Sequence, residues 1–217
     1  MTATSQTSPS AARIRRHFSE YAGSFDKLYD GKRLKRILRR SLWQRQQVTL
    51  DLVRSFEAPS VLDVGCGSGR IAEDILEHGA SRYVGIDFSA PMLELARDRL
   101  RRFGARVELL EGDYRLIEVD ERFDVVVALG LFDYLPDAAT VARRMHGHCQ
   151  GALVATFPRW TWTRGPYRAI RYGLFCDCPI FNYTRAGIES MLGQSGFRRV
   201  SFKVANYVLV VVAEPFG

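Results

Sequence analysis

Short apolar runs alternate with amphipathic segments along most of the chain. A short apolar run bounded by turn residues predicts a buried strand, and apolar residues recurring every three or four positions predict a helix. The predicted strands are 61–64, 82–87, 106–110, 123–130 and 151–157. The predicted helices are 32–55, 70–78, 89–103, 136–149 and 184–196, and a final hairpin joins 197–204 to 207–213. This alternation predicts an α/β fold with a doubly wound sheet.

The order of elements divides the chain into three parts and one insertion. Residues 1–10 are small and polar and predict a disordered tail, and residues 11–57 predict a helical cap. The segment Ala-Pro-Ser at 58–60 marks the start of the main domain, 58–217. Within that domain, residues 158–183 form a long connection rich in aromatic side chains, which predicts a substrate lid.

The most informative stretch is residues 61–69, Val-Leu-Asp-Val-Gly-Cys-Gly-Ser-Gly. Glycines at alternate positions let the backbone adopt positive φ and leave no Cβ between the backbone and a ligand. A helix is predicted directly afterwards, so a ligand on this turn would meet bare backbone and a helix N-terminus. The alternative is a tight strand-to-helix turn without a ligand, which a glycine triplet alone does not exclude.

This stretch resembles motif I of the class I S-adenosylmethionine (SAM) dependent methyltransferases, an acidic residue followed by Gly-x-Gly-x-Gly. The resemblance implies a Rossmann-like, mostly parallel sheet of seven strands with an antiparallel last strand, and SAM as cofactor. It also implies that Gly65, Cys66 and Gly67 line the methionine part of SAM, and that Asp63 orders the loop or contacts the methionine amino group. The N-terminal pattern and the long insertion are most similar to magnesium-protoporphyrin and quinone-pathway small-molecule O-methyltransferases.

Two further carboxylates follow predicted strands. Asp87 ends the second strand, where a carboxylate can accept hydrogen bonds from both ribose hydroxyls, and Ser89 is the predicted N-cap of the next helix. Asp113 follows the third strand, and the resemblance implies that it binds the adenine amino group while the backbone of Tyr114 meets the ring. Turn or capping roles are the alternative for both aspartates. The resemblance also assigns Phe88, Met92 and Leu129 to the cofactor site.

Methyl transfer from a sulfonium needs no covalent enzyme intermediate, so positioning supplies most of the catalysis. A phenol or amine acceptor would benefit from a nearby base, for which His17, Tyr21 and Tyr134 are the candidates. A packing or surface role is the alternative for each. Tyr21 belongs to a series of aromatic residues at close to helical spacing, which the resemblance implies folds over SAM, with Phe25 toward the acceptor. The same series can also form one apolar helix face packed on the domain.

The predicted lid contains side chains suited to a planar, partly anionic small molecule. Trp160 and Tyr167 can supply flat apolar walls, and Arg164 can supply positive charge. The alternative is that the aromatic residues pack the insertion onto the domain while the arginines face water.

The net charge of +7 is concentrated at one end of the chain. Residues 1–57 contain 12 Lys or Arg against 5 Asp or Glu, whereas the remaining residues are neutral overall. This asymmetry predicts an anionic partner for the N-terminal segment, either substrate, membrane surface or nucleic acid. The basic side chains of the helix predicted at 32–55 are expected to face water, and docking of this helix on anionic lipid is the alternative.

Two other function classes remain open. The sequence pI of about 9.5 suggests an RNA methyltransferase as one alternative. Because the sequence shows no appended RNA-binding module and no Asn-Pro-Pro-Tyr-type motif, a nucleic-acid substrate is not favoured. A SAM-binding protein without activity is the second alternative. Four cysteines suit a reducing cytoplasm better than a disulfide framework, and Cys176 and Cys178 are too close for the usual zinc knuckle, so no metal site is predicted. No apolar run approaches the roughly 18 residues of a membrane span.

Overall fold

The computed structural model of the protein describes residues 36–158, 181–205 and 208–216. The strands are β1 Ser60–Val64, β2 Arg82–Asp87, β3 Val107–Glu111, β4 Phe123–Ala128, β5 Cys149–Pro158, β6 Arg199–Ala205 and β7 Val208–Glu214. The α-helices are α1 Arg36–Arg54, α2 Arg70–Glu77, α3 Ala90–Leu100, α4 Ala138–His148 and α5 Arg185–Gln194. Two short 3-10 helices span Arg101–Arg106 and Phe132–Tyr134.

The strands form one seven-stranded sheet in the order β3-β2-β1-β4-β5-β7-β6. The pairs from β3 through β5 are all parallel, whereas β7 is antiparallel to both β5 and β6. The predicted doubly wound, mostly parallel sheet with an antiparallel last strand is therefore confirmed. The strand order reverses direction between β1 and β4, so the carboxyl ends of these two strands flank the crevice in which such sheets bind ligands.

Two apolar layers cover the sheet. Helices α1, α2 and α3 pack on one face, where the core includes Val53, Ile75 and Leu93. Helices α4 and α5 pack on the other face, where the core includes Met145 and Ile188. The central strands are buried on both faces, which explains why their sequences are continuous apolar runs rather than alternating patterns.

Several predicted boundaries differ from the structure, each for a local reason. The strand predicted at 123–130 ends at Ala128, and Gly130 beyond it has a φ of 76°. The helix predicted at 89–103 is α-helical only to Leu100; a 3-10 segment follows, within which Gly104 is non-helical. The fifth strand begins at Cys149, two residues earlier than predicted.

Parts of the predicted organisation lie outside the described residues. These are the tail at 1–10, most of the cap at 11–57, and the lid apart from its two ends. Within the described part of the chain, no helix is long and apolar enough to cross a membrane. Within the same ranges, no three His, Cys, Asp or Glu side chains are grouped so that they could hold a metal ion.

Close packing around Gly85 in β2 leaves no room for a side chain, so adding one methyl group should lower the stability of the protein considerably. A Cβ at this position would lie 2.9 Å from each of Cys66 Sγ, Leu109 Cδ2 and Tyr83 Cε1. We expect Gly85→Ala to lower the free energy of unfolding by about 1–3 kcal/mol, as overpacking does in other cores.

The matched control for this test is Gly147→Ala. Gly147 lies in the last turn of α4, and nothing is within 4 Å of its Cβ position. We expect this variant to be more stable than the wild type by about 0.4–1 kcal/mol, since alanine reduces the entropy of the unfolded chain. Urea denaturation measures both variants, and equal stability of the two would contradict the packing argument.

Candidate cofactor and acceptor site

The glycine turn after β1 is held against the end of β2 by backbone hydrogen bonds. The N–H groups of Gly65 and Cys66 both donate to the carbonyl of Ile86, at 2.8 and 3.1 Å. Gly67 has a φ of 54°, and nothing lies within 4 Å of the position that a Cβ would occupy. The turn therefore presents bare backbone to open space, next to the N-terminus of α2.

Asp87 ties the same turn to the end of β2 through its side chain. Its Oδ2 accepts a hydrogen bond from the Gly67 N–H, and its Oδ1 accepts one from the Ser89 N–H, both at 2.9 Å. Burial raises the pKa of Asp87, and backbone N–H donors, among them those of Ser89 and Gly67, oppose that shift. A carboxylate has about four lone-pair sites, so acceptor capacity for ribose hydroxyls remains at this side chain.

The prediction that Ser89 is the N-cap of α3 is confirmed in position but not in its side-chain hydrogen bond. Ser89 occupies the N-cap position of α3, but its side chain makes no capping hydrogen bond. Its hydroxyl is buried without a partner, while its backbone N–H is bound to Asp87. Pro91 in the first turn of α3 already removes one N–H that would otherwise need an acceptor.

Asp113 follows β3 and lies next to Asp87 along the carboxyl edge of the sheet, because β3 pairs with β2. The Nε of Arg115 donates to both oxygens of Asp113, at 2.9 and 3.1 Å, and the Arg115 backbone N–H also donates to Oδ1 at 3.0 Å. Partial burial alone would raise the pKa of Asp113, but the hydrogen bonds from Arg115 outweigh it, so the pKa is lowered. Asp113 is therefore an ionised carboxylate in a fixed orientation.

Asp63 lies beneath the turn rather than on its open side. Only 1% of the residue is exposed, and its Oδ2 accepts a hydrogen bond of 2.7 Å from the Tyr83 hydroxyl. Burial raises the pKa of Asp63 to about 7, against the opposing effect of the Tyr83 hydrogen bond and with a further increase from Asp87. Cys66 is buried beside this pair, and burial raises the pKa of its thiol.

The end of β4 forms the opposite side of the crevice. Leu131 approaches the glycine turn, with its Cδ1 3.4 Å from the Cβ position of Gly65. The Gly130 N–H donates to the hydroxyl of Thr156 on β5, at 2.7 Å. Leu129 and Tyr134 are both partly exposed here, and Tyr134 lies in the 3-10 helix Phe132–Tyr134.

Both ends of the long insertion are attached to this segment. Phe157, at the end of β5, stacks on Phe132 with ring centroids 4.4 Å apart and contacts the Tyr183 ring edge-on at 5.3 Å. The Tyr183 hydroxyl lies 3.2 Å from the Phe132 carbonyl oxygen, to which it can donate. The Phe181 N–H donates to the Asp133 carbonyl at 2.9 Å. The chain therefore leaves and re-enters the domain beside the segment that follows β4.

The remaining predicted residues divide into three groups. Phe88 is partly exposed at the end of β2, and Met92 is buried in α3. The Tyr114 side chain is buried away from the crevice, with its hydroxyl 2.7 Å from His148 Nδ1, so only its backbone is available to a ligand. His17, Tyr21, Phe25, Trp160, Arg164 and Tyr167 lie outside the described residues.

Three contributors to the site were not anticipated from the sequence. The side chains of Tyr83 and Thr156 form hydrogen bonds with residues at the ends of neighbouring strands, so these contacts depend on strand register. A tyrosine and a threonine within otherwise apolar strands are nevertheless a signal, since a buried hydroxyl requires a partner. Arg115 is only two residues from Asp113 and could have been identified from that spacing.

The fold and this site together define a class of protein. A sheet of this strand order, with a glycine turn after β1 and carboxylates after β2 and β3, is that of the class I SAM-dependent methyltransferases. In agreement, residues 61–151 match the sequence model of the family described as "Methyltransferase domain". The fold and this match over residues 61–151 together support a class I SAM-dependent methyltransferase domain.

Sequence relatives cover only part of the chain and of themselves. A ubiquinone biosynthesis O-methyltransferase of Stutzerimonas stutzeri is 38% identical over 96 residues, which are 41% of this chain and 39% of that protein. The corresponding protein of Coxiella burnetii is 30% identical over 109 residues, 50% of this chain and 42% of that protein. The chain therefore matches about two fifths of the length of these relatives.

Solved structures resemble the chain over nearly its whole length. Magnesium protoporphyrin IX methyltransferase from Synechocystis, with bound SAM, superposes with a TM-score of 0.74 over 98% of this chain and 99% of that one, at 16% identity. The N-methyltransferase NodS from Bradyrhizobium japonicum, in complex with S-adenosylhomocysteine, superposes with a TM-score of 0.65 over 92% and 100%, at 20% identity. At these identities the likeness shows the fold.

Removal of the Thr156 hydroxyl should lower the free energy of unfolding. Thr156→Val keeps the shape of a side chain that is 1% exposed but removes the acceptor of the Gly130 N–H. We expect a loss of about 1–3 kcal/mol in the free energy of unfolding, because a donor at the crevice is left unsatisfied.

The control is Thr140→Val, at an exposed position of α4, which should change stability by no more than about 0.5 kcal/mol. Chemical denaturation compares the two variants. A loss at Thr156 no greater than that at Thr140 would show that the hydroxyl does not support the end of β4.

Proposed function

We propose that this chain binds SAM along the carboxyl ends of β1, β2 and β3 and transfers its methyl group to a small, planar metabolite, with O-methylation favoured. The observation that carries the proposal is the succession of the glycine turn, Asp87 and Asp113 along one edge of the sheet. Methionine, ribose and adenine follow one another in SAM in the same order. A dinucleotide-type fold uses the equivalent edge for its cofactor.

The residues present fit this cofactor. The open space beside Gly67 accommodates a ligand against the backbone, where any side chain would intrude. Asp87 is fixed by two backbone donors and retains acceptor capacity for hydroxyl groups. Asp113 is held by Arg115 as an acceptor for an amino group. The acidic character of this edge also suits a ligand that carries a sulfonium cation.

When bound, SAM supplies an electrophilic methyl group whose bond to sulfur breaks as its bond to the acceptor forms. The residues of this chain contribute position and exclusion of water. Leu129 and Leu131 provide apolar contacts at the end of β4, opposite the glycine turn. If the acceptor is a phenol, Tyr134, Tyr21 and His17 are the proposed candidates to receive its proton.

The proposed acceptor is planar and partly anionic. Support comes from the two ends of the insertion, which are both attached to the domain beside the end of β4. We propose that Trp160, Tyr167 and Phe25 contact the acceptor and that Arg164 contributes positive charge. The partly matching relatives are O-methyltransferases of ubiquinone biosynthesis, and one structurally similar protein is a magnesium protoporphyrin IX methyltransferase, so planar ring substrates occur among them.

The proposed setting is the cytoplasm, where the buried Cys66 and Cys149 remain free thiols. The basic N-terminal segment is proposed to meet an anionic surface. Trp43 on α1 is 60% exposed, as an interfacial side chain would be.

Calorimetric titration with SAM tests the cofactor assignment. We expect Asp87→Ala to weaken SAM binding by roughly 10–100-fold, because charge-assisted hydrogen bonds are each worth about 1.5–3 kcal/mol. The matched control is Asp124→Ala. Asp124 also accepts a backbone N–H from the neighbouring strand, that of Ser60 at 2.8 Å, but it lies at the opposite edge of the sheet. Equal affinities of the two variants would remove Asp87 from the site, and no binding by the wild type would reject the proposal.

Acceptor identity is tested by incubating the protein and SAM with candidate metabolites and with RNA, and by detecting a mass gain of one methylene. We expect a small planar acid or phenol to be methylated, and Trp160→Ala and Arg164→Ala each to raise its KM by about 10-fold. Arg199→Ala is the control, since this side chain is 74% exposed on β6. Methylation of RNA alone would instead indicate an RNA methyltransferase, and SAM binding without any turnover a non-catalytic SAM-binding protein.

A further inference from the structure

A buried tyrosine–carboxylate pair lies directly under the glycine turn. Tyr83 is fully buried in β2, and its hydroxyl donates to Asp63 Oδ2 at 2.7 Å. Asp63 lies in β1, two residues before Gly65. In a parallel, apolar sheet, such a pair is costly to bury, and its presence at this place requires an explanation.

The backbone of β2 makes the pair possible. Asp63 is the register partner of Gly85, and Tyr83 is two residues earlier on the same face of β2. A Cβ at Gly85 would lie 2.9 Å from Tyr83 Cε1, so the ring occupies the space beside this glycine. Gly85 therefore leaves room for the phenol ring to extend toward the end of β1 and reach Asp63.

We propose that Tyr83 is a positioning residue that holds Asp63 as a buried anion beneath the glycine turn, where Asp63 attracts the cationic methionine end of SAM. The inference rests on the proposed function. Asp63 would act through the turn, since it is too buried to contact a ligand itself. In a poorly solvated position a single charge acts over several ångströms with little screening. The Tyr83 hydroxyl favours the ionised form of Asp63 because it donates to the carboxylate.

The charge of Asp63 depends on few neighbours. Within the described residues, the titratable groups that affect it are Tyr83 and Asp87 of β2, and the Cys66 thiol is affected by Asp63 in turn. Charged side chains on the helices of this face contact other groups, among them Glu73 with Arg102, Asp74 with Gln46, and Arg99 with the Ser68 carbonyl. Arg70 lies at the start of α2, and Arg45 of α1 lies near Gly130.

The sign of the pH effect follows from this arrangement. The pKa of Asp63 is raised by burial to about 7, so the carboxylate is largely protonated below pH 6 and ionised above pH 8. Cofactor binding to the ionised form should therefore strengthen as the pH rises through about 7 and release a proton. Tyr83→Phe removes a hydrogen bond that lowers the pKa, so it should move the same dependence to higher pH.

The experiment is calorimetric titration of wild type and Tyr83→Phe with SAM between pH 6 and 9. If the lost hydrogen bond raises the pKa of Asp63 by about one, the variant binds SAM about 10-fold more weakly at pH 6 and less than about twofold more weakly at pH 9. The amino group of SAM titrates identically in both experiments, so it cancels in the ratio of dissociation constants. Asp63→Asn removes the titrating carboxyl, so the ratio of its dissociation constant to that of the wild type should rise as the pH increases through about 7.

The matched control is Ser60→Ala. This variant removes the 2.8 Å hydrogen bond that the Ser60 hydroxyl donates to Asp124 at the other end of β1. The ratio of its SAM dissociation constant to that of the wild type should not vary with pH. If Tyr83→Phe does not fold, the wild type and Asp63→Asn decide, because the protons released on SAM binding at pH 7 can be compared between them in two buffers of different ionisation enthalpy. A pH-independent affinity ratio for Tyr83→Phe or for Asp63→Asn, or no greater proton release by the wild type than by Asp63→Asn, would overturn the inference alone. No SAM binding by the wild type would overturn the proposed function as well.

Discussion

The geometry of the crevice depends on the hydrogen bonds that join the end of β1 to the end of β2. Two N–H groups of the glycine turn share the Ile86 carbonyl, and a third, that of Gly67, is bound by the Asp87 carboxylate. Because three successive residues are held by two adjacent residues of the next strand, the turn has little freedom to move relative to the sheet. The same carboxylate also fixes the start of α3 through Ser89, so the glycine turn, the strand end and the helix are all held by Asp87.

Electrostatics along this edge are set by how each carboxylate is surrounded. Asp113 is partly exposed and paired with Arg115, so it stays ionised, whereas Asp63 is enclosed and has a pKa of about 7. Asp87 is partly buried, and burial raises its pKa against the opposing effect of backbone donors. The pKa values of three aspartates at the ends of neighbouring strands thus shift differently because the side chains differ in solvation and hydrogen bonding, not in residue type.

Much of this arrangement could be predicted from the sequence, because it depends on residues that are consecutive in the chain. Apolar runs identified the parallel strands, the glycine turn follows β1, Asp87 ends β2 and Asp113 lies two residues past β3. What could not be predicted depends on register across strands. The partners Tyr83 and Asp63 are 20 residues apart, and Thr156 and Gly130 are 26 apart. Their contacts follow from the pairing of β1 with β2 and β4 with β5, which no local pattern encodes.

The aromatic contacts of Phe132, Phe157 and Tyr183 have an evolutionary consequence. They join the two ends of segment 159–180 to each other and to the domain, independently of what lies between. The entropy of closing a loop rises only slowly with its length, so replacement or lengthening of this segment costs the rest of the fold little. Residues 159–180 can therefore diverge in sequence and length among descendants of this chain while the carboxyl edge of the sheet is retained.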